Sequence, residues 1–350
     1  MERVGKVRYQ IIREIGLDSS GQRRGQNSRV YLADERSLGG QIAVKEIEKT
    51  AFPKPDDYFR EAQKMFEVDS EHVVPVQYMC EQTDTVALVM KYFERGSLAD
   101  KIEHGPIPPS EVVRIGQHVL SGIVRIHNAH TIHFDVKPSN VLFTNASVAM
   151  VADFGQARTV RPDGTVDWPG MYEYGLPPEW YSSSAGTSRS DIYQVGLTLY
   201  RAVNGDPFFR AQVPTTDREL ETRTVAGKFP NRNKWLPHVP KQLRTVIRKA
   251  LSLVPTDRYA SPEEFQNDLS FRGNDWTTSI DLSSGETEWK TQPSGKAAMI
   301  VRLSRTKSGW AVSLYQDGAK RRRFRTPDWR DGLTPVQANR HLLELFRSLG

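Results

Sequence analysis

Alternating segments rich in β-branched and aromatic residues fill the first ninety or so positions, and helical periods take over from about residue 97. That switch constrains the chain strongly, because an alternation of period two and a stripe of period 3.6 bury different faces and ask for separate layers. It predicts an α+β chain of two lobes, the first β-rich and the second helical, with a cleft between them. Strand candidates are VRYQIIREI (7–15), RVYLADER (29–36), GQIAVKEI (40–47), VVPVQYMC (73–80) and TVALVMKYF (85–93). Among them, DDYFREAQKMFEV (56–68) sets Phe59, Ala62, Met65 and Phe66 at helical spacing. The helical part opens with PSEVVRIGQHVLSGIVRIHNAH (109–130), for which Ser110 is the expected cap. It continues through RSDIYQVGLTLYRAV (189–203), KQLRTVIRKALS (241–252) and SPEEFQNDLSF (261–271).

Chemistry concentrates in IHFDVKPSNVLF (132–143), where His133 and Asp135 bracket Phe134 and Lys137, Pro138 and Asn140 follow at once. An acid, a lysine and an amide this close, with apolar residues on both sides, suit a reaction rather than a solvated surface. Lys45 ends AVK on the third strand, Glu61 lies on the next helix, Asp153-Phe154-Gly155 follows an apolar run, and Glu179 ends PPE. In this order and spacing the chain resembles the protein kinase family over residues 9–272. The resemblance implies a bilobal fold with an N-lobe over residues 1–93 and a C-lobe over 94–272, binding ATP and Mg²⁺.

The roles follow from the resemblance, and the physics suits them, since phosphoryl transfer concentrates negative charge that fixed cations must meet. Lys45 is expected on the nucleotide phosphates, with Glu61 holding it as an ion pair. Asn140 and Asp153 are expected to bind the metal. Asp135 takes the place of the base for the attacking hydroxyl, and Lys137 steadies the γ-phosphate. Around the nucleotide the resemblance sets Gly16, Gly25, Ser28 and Val30 from the glycine-rich loop, and Ala43 beside Lys45. Met90 takes the position behind the adenine, Tyr92 falls in the hinge and Leu142 on the C-lobe side. Asp191 and Gly196 match the helix that props up the catalytic loop, and Arg258 is the expected partner of Glu179. A stack through Met65, Val76, His133 and Phe154 is expected to couple the lobes. Lys137 followed by Pro138 resembles the serine/threonine branch of the family.

Two departures stand out. The glycine-rich loop is longer and more polar than the pattern: Gly25 is the middle glycine, Ser28 stands at the third, and either Gly16 with LDSSGQRR inserted or Arg23 takes the first position. Phe134 replaces the arginine that in many relatives grips a phosphate on the activation loop, so phosphorylation of Thr159 or Thr165 is not expected to be required. The threonine expected before PPE has no counterpart, and Met171 or Tyr172 falls there.

Residues 273–350 lie outside the resemblance and carry 13 Lys and Arg against 8 Asp and Glu, so +5 of the net +6 sits in this tail. KAAMIVRLS (296–304) and WAVSLYQ (310–316) read as a hairpin, AKRRRFR (319–325) as a third strand or a loop, and Thr334-Pro335 as the start of a closing helix with Leu342, Leu345, Phe346 and Leu349 on its apolar face. A small β-meander and helix domain is the expectation, docking a protein partner or the kinase lobes. Nucleic acid at KRRRFR, beside Trp310, Phe324 and Trp329, is the less favoured use. A lone Cys80 and the lack of an apolar run of about 18 residues fit a reducing compartment, here the cytoplasm, and argue against a membrane span. The expected function is therefore a serine/threonine protein kinase acting on protein hydroxyls. The alternative is a pseudokinase that scaffolds a partner through its basic tail, and a small-molecule kinase ranks third, since the segment ending at Glu179 suits peptide docking.

Overall fold

The computed structural model describes residues 8–17, 21, 23, 28–36, 39–52, 54, 59–169, 174–281, 283–292, 297–316, 322–323 and 329–349, and for Glu61, Arg322 and Arg323 the backbone alone. The N-lobe is built from β1 (Tyr9–Ile15), β2 (Ser28–Glu35), β3 (Gly40–Glu48), α1 (Arg60–Glu67), β4 (Val76–Glu81) and β5 (Thr85–Lys91). Its antiparallel strands run in the order β1-β2-β3-β5-β4. Strand pairing sets Val30 opposite Lys45 and Leu32 opposite Ala43, and then Lys45 opposite Leu88 and Ala43 opposite Met90. Directly opposed residues share a face. Val30, Ala43, Lys45 and Met90 therefore line one side of the sheet.

The C-lobe follows with α2 (Leu98–Ile102), α3 (Pro109–Asn128), β6 (Thr131–Ile132), β7 (Val141–Phe143), β8 (Ala149–Val151), β9 (Arg158–Thr159), β10 (Val166–Asp167) and β11 (Ala185–Gly186). The helices α4 (Ser188–Asn204), α5 (Asp206–Arg210), α6 (Asp217–Val225), α7 (Lys241–Ala250) and α8 (Pro262–Asp268) complete it. Helix α4 is buried nearly all round and runs through the core, carrying Asp191, Gln194 and Thr198 among its buried residues. A Cβ on Gly196 would stand 2.8 Å from that of Ala250, so glycine is what lets α4 and α7 approach.

One buried apolar cluster spans both lobes, from Met65, Val73, Val74 and Leu88 to the helices around α4. Val73 and Val74, which the sequence assigns to a strand of the N-lobe sheet, instead pair with β8 of the C-lobe. Val74 N–H donates to Val151 O and Val151 N–H to His72 O, both at 2.8 Å. Strand β4 accordingly starts only at Val76.

The tail forms its own core. Strands β12 (Thr277–Ile280), β13 (Thr287–Thr291), β14 (Met299–Thr306), β15 (Gly309–Gln316), β16 (Arg322–Arg323) and β17 (Arg330–Leu333) make one sheet, and α9 (Pro335–Leu349) covers it. The expected hairpin is β14 with β15, and Thr334 caps α9 by accepting from Gln337 N–H at 3.3 Å. Trp276, Trp289, Val301, Val312, Leu342, Leu345 and Phe346 fill the space between sheet and helix. Only Arg322 and Arg323 of the basic run fall within the described backbone, and Phe324 lies outside it.

Two contacts fix this unit to the C-lobe. His238, 4% exposed, packs edge-to-face on Phe346 and its Nδ1 accepts from the Trp289 indole N–H at 3.0 Å. Asp275 accepts from Ser110 N–H at 3.1 Å and from its hydroxyl. Ser110 is thus not the cap of α3. Pro108 stands at the N-cap without a side-chain bond, and a carboxylate from 165 residues away satisfies the free N–H of the first turn.

Candidate active site

The loop of residues 133–136 hangs from α4. Asp191, fully buried, accepts from His133 N–H at 2.9 Å, from Phe134 N–H at 2.8 Å, and pairs with His127 Nε2 at 2.7 Å. One turn on, Gln194 takes Val136 N–H at 3.0 Å and gives its amide to Phe134 O at 2.6 Å. Thr198 donates to Val136 O at 3.1 Å. These three side chains occupy i, i+3 and i+7, one stripe of the helix. Burial would raise the Asp191 carboxyl, but the His127 ring and the loop's N–H groups hold it below the ordinary carboxylate range.

Within the loop, Asp135 is 7% exposed and its carboxylate accepts from Asn140 Nδ2 at 2.9 Å, with Lys137 Nζ 3.1 Å from its other oxygen. Asn140 Nδ2 also donates to Asp135 O, which leaves the carboxamide oxygen as an acceptor. Asp135 N–H donates to His133 Nδ1 at 3.2 Å, and burial pushes that imidazole down, so it stays neutral. The His133 ring stands edge-to-face on Phe154, 5.1 Å between centroids. Phe154, Met65 and Val76 belong to the shared core, as the expected stack requires.

Across the cleft, Lys45 Nζ donates to Asp153 Oδ1 at 2.7 Å. Burial alone would raise the Asp153 carboxyl; the Lys45 ammonium beside it and the Gly155 N–H outweigh that and keep it well below the usual range. Asp153 adopts a φ of +68°, a turn that brings its carboxylate back over Gly155. The structure thus brings Lys45 to Asp153, and Asp135 to Lys137 and Asn140. The Glu61 side chain lies outside the described residues, so its pairing with Lys45 does too.

Gly16 sits at the end of β1 with a φ of +76°, which favours glycine. Leu17 bridges Arg23, and Arg23 Nε donates to Glu14 at 2.7 Å, so Arg23 lies back against β1. Ser28 opens β2, while Gly25 is outside the described residues, as are Met171 and Tyr172. Tyr92 lines an open hollow at the hinge with Gln41, Lys91, Phe93, Glu94, Thr144 and Asn145, and Leu142 on β7 bridges Ser97.

Arg258, 3% exposed, clamps Glu179 with both guanidinium nitrogens at 2.8 and 2.6 Å. Sequence reasoning missed Gln194 and Thr198, although two polar residues at helical spacing from Asp191 in an apolar stretch were a usable signal. It also missed Lys64, which is buried on α1 and donates to Ala157 O at 2.6 Å, just past Asp153-Phe154-Gly155. Burial, with Arg158 and Arg60 nearby, pushes that ammonium down to about 8.

The family model of the protein kinase domain matches residues 10–269. The serine/threonine-protein kinase PrkC of Bacillus subtilis is 29% identical over 271 residues, covering 75% of this chain and 40% of that protein. A probable serine/threonine-protein kinase of Clostridium perfringens is 30% identical over 298 residues, covering 81% of this chain and 42% of that one. The chain therefore spans about two fifths of the length of these relatives. Among the described residues, no helix is long and apolar enough to cross a membrane.

Proposed function

The chain belongs to the protein kinase family, and from that membership we propose that it is an ATP- and Mg²⁺-dependent serine/threonine protein kinase. Residues 1–272 are read as the kinase and 273–350 as an accessory domain, in a protein of the cytoplasm. What carries the reading is the meeting of two clusters across the cleft, Lys45 with Asp153 and Asp135 with Lys137 and Asn140. Lys45 and Lys137 supply positive charge where the phosphates must lie. Asp153, held in its charged form, and the Asn140 carboxamide oxygen are the few hard donors that Mg²⁺ takes while keeping its waters. Bound there, the ion would offset charge on the phosphate oxygens. Asp135, locked by Asn140 and by the loop's anchorage on α4, would receive the proton of the substrate hydroxyl.

Phosphorylation of the activation loop is not required in this reading. Phe134 is buried among Ile132, Val166 and Leu176, an apolar site with nothing to offer a phosphate. The test is incubation of the protein with radiolabelled ATP, Mg²⁺ and a basic protein acceptor, beside Asp153→Ala. Label on serine or threonine in the unaltered protein alone is the expected result. No label, with ATP still raising the melting temperature, would favour the pseudokinase, which the inserted stretch between Gly16 and Ser28 keeps in view. Binding of a further protein at the tail is the favoured use of its basic charge over nucleic acid.

A further inference from the structure

Residues 68–75 carry the chain from α1 to β4, and they are tied to the C-lobe by more than the backbone bonds of His72 and Val74 with Val151. The imidazoles of His72 in that linker and His118 on α3 stack with 4.7 Å between centroids and 21° between planes. Both are half-buried, so each can exchange protons with solvent. One residue of β8 fixes the two rings in opposite senses. Ala149 O accepts from His72 Nδ1 at 3.3 Å, and Ala149 N–H donates to His118 Nδ1 at 3.2 Å. His72 can donate from Nδ1 whether its ring is neutral or charged, but His118 can accept there only while neutral. Helix α3 comes this close because residue 122 is glycine: a Cβ there would stand 2.7 Å from His72 O.

We propose that His72 and His118, bridged by Ala149, form a proton-sensitive clasp that joins the two lobes while His118 is neutral and loosens when it gains a proton. A hydrogen on His118 Nδ1 would point at the Ala149 N–H, turning an acceptor into a second donor and setting a charge against the stacked ring. The charged groups facing the pair are Glu71 in the linker and Arg114, one turn before His118 on α3. Arg125, further along α3, is engaged with Asp69 O at 3.4 Å. Strand β8 consists of Ala149, Met150 and Val151 and brings no titratable side chain. Burial, the His72 ring and Arg114 together push the His118 imidazole below its ordinary value, against the pull of Glu71. With its folded value lowered, the clasp's contribution is whole above about pH 6.5 and is lost as pH falls through that lowered value. That acid also slows phosphotransfer rests on the kinase reading above, because Lys45 and Asp135 belong to opposite lobes.

The experiment follows amide hydrogen exchange in the full chain and in His118→Asn, whose carboxamide oxygen can accept from Ala149 N–H without titrating. Between pH 7.5 and 5.5, protection at Val74 and Val151, corrected for the intrinsic rate, is expected to fall about three- to tenfold in the unaltered chain, since a released imidazole titrates at about 6.5. In His118→Asn it is expected to hold within about twofold. The kcat at pH 5.5 relative to pH 7.5 is expected to be about threefold lower in the unaltered chain than in the variant, a comparison that cancels acid effects on the site itself and on His238. Unchanged protection in the unaltered chain, or an equal loss in both, overturns the clasp, and equal kcat ratios overturn its control of the reaction. Absence of phosphotransfer from both chains at pH 7.5 would mark failure of the kinase reading instead, and exchange then decides the clasp. Should His118→Asn not fold, the His118 ring of the unaltered chain is titrated by NMR. Protection lost in step with that ring supports the clasp, and protection lost at another pH overturns it.

Discussion

Residues 133–136 hang from α4 on the buried side chains of Asp191, Gln194 and Thr198, whereas Val166, Trp168, Leu176 and Trp180 are held by apolar and aromatic packing beside the short β10–β11 strand pair. The two regions meet at Phe134, whose N–H and carbonyl belong to the polar ladder and whose ring belongs to the apolar cluster. Hydrogen bonds are directional, which suits the loop that carries Asp135. Apolar packing is less directional. The difference teaches that the loop and the strand pair beside it are held here by separate means, sharing one residue.

The comparison can be broken first at Asp135. Asp135→Ala is expected to lower kcat by about 10²- to 10⁴-fold while leaving ATP affinity and melting temperature nearly unchanged; steady-state kinetics and thermal unfolding decide it, and wild-type turnover would remove the assigned base. Asp191→Ala strips the ladder, leaving two buried loop N–H groups and His127 without their acceptor. A loss of about 3–5 kcal/mol is expected in urea unfolding. A loss below about 1 kcal/mol would mean that the ladder does not hold the loop.

Acid sharpens the contrast with the tail. His238 is pushed down to about 3 by burial and by Arg244 nearby, and it must be neutral at Nδ1 to accept from Trp289. Its folded value lies below the unfolded one, so its contribution is present above about pH 6.5 and is lost as pH falls from there toward 3. At pH 5 that amounts to about 2 kcal/mol. Urea unfolding at pH 7.5 and pH 5 of the unaltered chain and of His238→Gln should differ by this amount, and parallel shifts in both would exclude His238 as the cause. The smallest effect belongs to Thr159→Ala with Thr165→Ala. Both threonines lie outside the apolar cluster around Phe134, and activity within about twofold of the unaltered protein is expected. A large loss with folding preserved would show that a phosphate is read after all, by some group other than Phe134.

Much of this was legible in the chain. The early alternation gave the sheet to within a few residues, and the resemblance to the protein kinases singled out Lys45, Asp135, Asn140 and Asp153, of which Lys45 is found against Asp153 and Asp135 against Asn140. The Arg258 clamp on Glu179 was likewise expected from position. The failures have physical causes. Ser110 looked like a cap since a serine beside a helical stripe is the local signal, but the free N–H was taken by Asp275, a partner no local rule reaches. Val73 and Val74 carry strand propensity but pair with β8 of the C-lobe rather than with the N-lobe sheet.

By itself, then, the sequence determined most of the elements that form and, through its resemblance to the protein kinases, the candidate site residues, because propensity, periodicity and motif order are properties of the chain alone. Tertiary structure alone decided where the Phe134 ring packs, why residue 186 is glycine, how Asp191, Gln194 and Thr198 divide one loop among them, and where His238 and Asp275 seat the tail. Those outcomes depend on contacts between residues far apart in the chain, and their free energy comes from burial and geometry that exist only once the elements are packed.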